Sequence, residues 1–258
     1  MGFSHISGNF AVPTRLHGTA MPAHTDAAAE LVVLSAGAVK SAFNEACARW
    51  REAGGRTVKA SFAPAGELRR RLAAGERADV LVIPAENLPA LERDGVVVPG
   101  TRRDLGAVAM AAAVRKGAPV PDISTPDALR RTLLAAKSVT YMDPNIGTSG
   151  KNFDEGVLPA LGVRDAVRAK AVLGEGGYIA EKVAKGEVEI AFHNVTEILP
   201  VQGITVVGLL PQALQKLIVY SGAVMKSATQ PEAAGALLDF VASPEGRRSF
   251  LERGFTAP

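Results

Sequence analysis

Cysteine is nearly absent: Cys47 is the only one in 258 residues, so no disulfide within the chain braces the fold. It shares a helical face with Phe43, Ala46 and Trp50, the setting of a small core residue rather than a reactive thiol, and it leaves the redox compartment undetermined. Aromatic residues make up 5% of the chain, too few for a base-stacking platform. The formal charge is only +3 and the longest basic run is Arg69-Arg70-Arg71, flanked at helical spacing by Leu68 and Leu72. That is the pattern of a solvated helix face, so no nucleic-acid partner is expected. No stretch reaches the roughly 18 apolar residues of a transmembrane helix, which excludes direct membrane insertion by that route.

Residues 1–29 read as a flexible extension. Pro13, Pro22, His5, His17 and His24 interrupt them, and they hold no unbroken apolar stretch of the kind a secretory leader needs. A cytoplasmic protein is expected if this N-terminus is native, and a periplasmic one if a signal peptide has been removed or replaced. The three histidines fit neither a helix face nor a zinc spacing, so neither a metal site nor a cofactor is expected.

From Glu30 onward β-branched runs alternate with helical patterns. Strands are predicted at Leu31–Ser35, Thr57–Phe62, Val80–Ile83, Val108–Val114, Val139–Met142, Ala169–Leu173, Val188–Phe192, Thr205–Leu209 and Leu217–Val224. Helices are predicted near Val39–Ala53, Glu67–Ala74, Ala85–Asp94, Pro126–Ala136, Ser149–Leu161, Gly177–Lys185 and Glu232–Ala242. Such alternation is the mark of an α/β fold with a parallel sheet covered by helices. Ser124-Thr125-Pro126-Asp127 and Ser243-Pro244-Glu245 each place a capping hydroxyl before a proline at the first helical position.

Two nucleotide motifs fail. A phosphate loop counted back from Gly150-Lys151 needs Gly at 145 and Ser or Thr at 152, where the chain has Asn145 and Asn152. In Gly174-Glu175-Gly176-Gly177, Ile179 stands where the third dinucleotide-binding glycine belongs. What recurs instead is a small-residue turn between strand and helix: Ser35-Ala36-Gly37-Ala38, Ala63-Pro64-Ala65-Gly66, Gly147-Thr148-Ser149-Gly150 and Glu175-Gly176-Gly177. Small side chains let backbone N–H groups approach a ligand, and helix N-termini favour negative charge, so these turns predict an anion-binding cleft at the carboxyl ends of strands. His193 ends a strand-like run, where α/β crevices place ligand contacts, and Asn194 follows it. From the residues alone a functional and a structural histidine stand equally.

Over about residues 30 to 258 the chain resembles the type II periplasmic-binding-protein fold, closest to the molybdate-binding proteins of ABC transporters. The resemblance is carried by Ser61-Phe62-Ala63, Ala73 to Ile83 (AAGERADVLVI), Asp143-Pro144, Gly186 to Phe192 (GEVEIAF), Gly203 to Gly208 (GITVVG), and the ending from Ser243-Pro244-Glu245-Gly246 to Gly254-Phe255. It implies an α/β two-lobed clamshell with two crossover strands, lobe one being 30–107 plus 216–258 and lobe two 108–215. It also implies a small anionic ligand and, if the protein is exported, an ABC transporter permease as partner. Carried over residue by residue, it implies ligand contacts at Gly37, Ala38, Ala65, Gly66, Thr148, Ser149, Gly150, Lys151, Gly176, Gly177, His193 and Asn194.

The chain departs from the molybdate pattern. Ala38 and Ala65 align with two binding serines of that family, and His193 falls where a tyrosine is usual. Each hydrogen bond lost to a desolvated oxyanion forfeits about 1–3 kcal/mol, which disfavours molybdate itself, so the expected function is solute-binding-protein-like binding of a small anion, an organic carboxylate or oxyanion, in the interlobe cleft. A branch of the superfamily, the aconitate isomerases, implies an alternative: an allylic proton shift on an unsaturated polycarboxylate, with His193 as base and Glu175 or Tyr178 as a second proton carrier.

Overall fold

The computed structural model describes Met1 and residues 30–258. The histidines of the N-terminal extension lie outside the described residues. Among the described residues nine strands form two sheets: β1 (Leu31–Ala36), β2 (Val58–Ala63), β3 (Val80–Pro84), β4 (Arg103–Val108), β5 (Met110–Arg115), β6 (Val139–Tyr141), β7 (Ile190–Asn194), β8 (Ile204–Leu209) and β9 (Ile218–Val224). One sheet has the order β2-β1-β3-β9-β4 and the other β6-β7-β5-β8. The chain thus leaves the first sheet after β4 and returns to it as β9.

Burial explains why these segments are strands. The runs LVVLSA and VLVIP of β1 and β3 are almost wholly buried, as expected of parallel strands covered on both faces. They meet helices Lys40–Glu52 and Pro231–Ala242 in a core that includes Phe43, Leu81, Ile83 and Leu238. In β5, Ala112 faces a core with Phe153 and Phe192, while Ala111 and Ala113 face Val183 and Ile198 on the other side. Alternation of period two survives there in a strand with no polar residue before Arg115.

Four expectations need correction. Val108–Val114 is not one strand: β4 ends at Val108 and β5 begins at Met110, so one apolar run serves two sheets. Ala169–Leu173 is no strand, although Val172 donates to the Val139 carbonyl at 2.8 Å and isolated bridges join Ala171 to Val139 and Gly174 to Met142. Val172 and Leu173 remain exposed, and their β-branched and aliphatic character misled the pattern. The helix expected at Ser149–Leu161 is a composite, α-helical over Thr148–Asn152, π-helical over Phe153–Val157 and α-helical again over Leu158–Ala160. Similarly, Gly177–Lys185 is helical only over Glu181–Ala184, because Gly176 and Gly177 adopt positive φ.

Both capping signals act as the sequence suggests. Thr125 Oγ1 accepts from the Ala128 N–H at 3.1 Å and Ser243 Oγ from the Gly246 N–H at 3.3 Å. Cys47 is half-buried against the first core, and burial pushes its thiol up to about 12, which keeps it protonated and unreactive. Among the described residues no helix is long and apolar enough to cross a membrane.

Candidate functional site

The carboxyl ends of β1, β2 and β3 and those of β6 and β7 border one cavity of about 200 Å³. From the first sheet and its helices come Gly37, Ala38, Lys40, Phe62, Ala65, Pro84 and Tyr220. The second contributes Met142, Thr148, Ser149, Gly177, Tyr178, His193, Asn194 and Glu197. Ala38 and Ala65 are both buried in its wall, so the positions lacking a hydroxyl bring methyl groups to the site.

His193 pairs with Ala111 across β7 and β5 and is only 2% exposed. Its Nδ1 lies 3.2 Å from Ser149 Oγ, and its Nε2 lies 3.3 Å from Glu197 Oε2. The latter approach lacks hydrogen-bond geometry, and Nε2 is buried without a partner. Ser149 owes its place to Gly150: a Cβ there would sit 1.9 Å from the Met142 carbonyl oxygen, so only glycine lets this helix start press against the end of β6. Asn194 Nδ2 donates to Glu197 Oε2 at 2.9 Å and to the Tyr220 hydroxyl at 3.3 Å, joining the two sheets' elements, while its Oδ1 has no partner. Burial, reinforced by the Glu197 charge, pushes the Tyr220 phenol far above its ordinary range and keeps it neutral.

The structure brings together nine of the residues expected from sequence: Gly37, Ala38, Ala65, Thr148, Ser149, Gly177, Tyr178, His193 and Asn194. Gly66, Gly150, Lys151, Glu175 and Gly176 do not line this cavity. Gly66 and Lys151 border a neighbouring one of about 60 Å³, together with Arg69 and Asn145. The Gly66 N–H is already committed, donating to the Ile146 carbonyl at 2.9 Å. Glu175 is exposed, Gly150 acts through close backbone approach to Met142, and Gly176 adopts positive φ in the turn beside Pro64. Sequence reasoning missed Glu197, Lys40 and Tyr220. Only Glu197 left a trace, as the acid four residues beyond His193. Among the described residues no group of three or more His, Cys, Asp or Glu side chains is placed to hold a metal ion.

The model of the family described as bacterial extracellular solute-binding protein matches residues 31–256. The chain belongs to that family. This solute-binding protein is 35% identical to an aconitate isomerase from a Pseudomonas species over 229 residues, 87% of this chain and 86% of the relative. To a molybdate-binding protein from Rhodobacter capsulatus it is 27% identical over 241 residues, 92% and 91% of the two chains. The solved periplasmic molybdate-binding protein of Azotobacter vinelandii superposes with a TM-score of 0.76 at 18% identity, covering 88% of this chain and 99% of that one. The two-sheet α/β architecture is therefore that of the type II periplasmic-binding-protein fold.

Proposed function

We propose that this solute-binding protein binds a small unsaturated polycarboxylate in the cavity between its sheets and moves a proton along its carbon chain, in the manner of an aconitate isomerase. The observation that carries the reading is the buried imidazole of His193, held at Nδ1 by Ser149 and unpartnered at Nε2, inside a cavity bordered by helix-starting turns from both sheets. Carboxylates would lodge against the turns at Gly37-Ala38 and Thr148-Ser149, with Lys40 as countercharge. Histidine suits a base that must take a proton and return it near neutral pH. The 35% identity to an aconitate isomerase, extending over most of both chains, supports the same reading.

Its test is calorimetric titration with trans-aconitate followed by NMR of the recovered ligand. Saturable binding with appearance of the cis isomer supports it, and failure of trans-aconitate to bind refutes it. A second reading, delivery of a small anion to an ABC transporter permease, is favoured by the family and by the molybdate-binding relative. Tight binding with no conversion of any unsaturated carboxylate selects that one.

A further inference from the structure

We infer that Glu197, which neither the recurring turns nor the strand-end histidine pointed to, is the positioning and charge-balancing partner of His193 in the proton shift. The inference rests on the isomerase reading. Glu197 is 7% exposed and lies in the wall of a cavity suited to an anion. A site built only to hold negative charge gains nothing from a buried carboxylate, which repels the ligand and pays for its own desolvation. Among the described residues no Lys or Arg pairs with Glu197, and His193 is its only ionic neighbour, at 3.3 Å.

The carboxylate is nonetheless held firmly. Asn194 donates to Oε2 at 2.9 Å, and Oε1 packs against Gly37, 3.4 Å from where a Cβ on that residue would stand. The other titratable groups facing the imidazole across the cavity are Lys40, Tyr178 and Tyr220. None of them is an acid that would stabilise an imidazolium. Glu197 is.

In the step itself, the His193 imidazole takes a proton from the methylene carbon on a ring-nitrogen lone pair, and the electron pair of that C–H bond becomes the new double bond. The pair of the old double bond moves to its far carbon, which takes the proton back from the imidazolium. Nothing is oxidised or reduced. Glu197 opposes the anionic substrate in the ground state and gains an opposite charge only while His193 holds the proton. Its contribution is therefore differential, falling on turnover rather than on binding.

The test compares wild type, Glu197→Gln and Glu197→Asp with trans-aconitate, measuring Kd by calorimetry, kcat by NMR and the melting temperature of each. Glu197→Gln is expected to bind as tightly as wild type or severalfold tighter while kcat falls at least about a hundredfold, the scale of a lost acid–base partner. Glu197→Asp is expected to recover part of that rate. A merely structural Glu197 predicts the opposite split, with Kd rising as melting temperature falls, and that result overturns the inference. Equal turnover in wild type and Glu197→Gln overturns it alone. A wild type that binds trans-aconitate without converting it overturns the isomerase reading and this inference with it. If Glu197→Gln does not fold, Glu197→Asp decides: a slower kcat at unchanged Kd supports the assignment, and an unchanged kcat refutes it.

Discussion

At the scale of single residues, the site depends on what holds His193 rather than on the histidine alone. Ser149 Oγ is its partner at Nδ1, and removing that hydroxyl leaves a buried ring nitrogen unmatched, a loss of about 1–3 kcal/mol. Ser149→Ala is accordingly expected to cut turnover of trans-aconitate by tenfold or more and to weaken binding. Steady-state kinetics with calorimetry check this, and unchanged constants would remove Ser149 from the site. The strand-end histidine and its serine were legible in the sequence because both sit at the small-residue ends of β-branched runs. Glu197 was not. It lies in the short helix Val195–Ile198, and an acid there reads as solvated until the fold places it under Gly37.

At the scale of elements, the helix that carries Ser149 runs into a π-helical turn, and the reason is packed beneath it. Phe153 stacks on Phe192 with ring centroids 4.8 Å apart and lies 5.1 Å from Tyr141. The next residue, Asp154, is fully buried and accepts from the Tyr141 hydroxyl at 2.9 Å and from the guanidinium groups of Arg168 and Arg164. Burial works against the ionised carboxylate, but Arg168, Arg164 and Tyr141 overcome it and hold Asp154 down to about 2. Because the folded value lies below the ordinary 3.8, the stabilisation is present at higher pH and is lost as pH falls toward about 2. Asp154→Asn is expected to cost about 1–2 kcal/mol at neutral pH, allowing for the partly solvated guanidinium groups. The gap from wild type should narrow in urea melts carried from about pH 5 to about pH 2. A gap independent of pH would show that the ion cluster is not its source. None of this was visible in advance, since an acid in mid-helix with arginines 10 and 14 residues on has no sequence signature.

Sequence periodicity did find most elements, because strands covered on both faces are written as unbroken apolar runs, but it did not show that the sheets are mixed, with β9 antiparallel to β3 and β4 and β5 antiparallel to β7 and β8. It failed where the chain changes sheets at Ala109, a position as apolar as its neighbours on either side. It failed again at Val172 and Leu173, where side chains suited to a strand sit exposed beside β6.

At the scale of the whole molecule, the cavity exists only because turns from the two sheets' elements meet. Gly66 is the tightest of these meetings. Its N–H bonds the Ile146 carbonyl, and a Cβ on it would come within 2.9 Å of Ile146 Cα and O, both backbone atoms with no side-chain freedom to yield. Alanine is otherwise the better residue in the helix Ala65–Ala73, by about 1 kcal/mol. Gly66→Ala is nonetheless expected to lower the melting temperature, since the backbone clash outweighs that gain, while Kd for the ligand rises tenfold or more. Small-angle scattering should show the variant remaining more open than wild type at saturating ligand. Identical Kd values would mean that this contact is not needed for closure. The glycine itself was legible as part of a recurring turn, but its use was not, since sequence cannot tell an amide turned toward a ligand from one already spent on the opposite loop.

The most direct measurement is a proton NMR time course of trans-aconitate incubated with micromolar wild-type protein and, in parallel, with His193→Ala. The account predicts that the cis isomer appears with wild type and approaches a fixed ratio to the trans isomer, and that it fails to appear with the variant. A trans-aconitate spectrum unchanged over hours with folded wild-type protein, or equal conversion by His193→Ala, would contradict it.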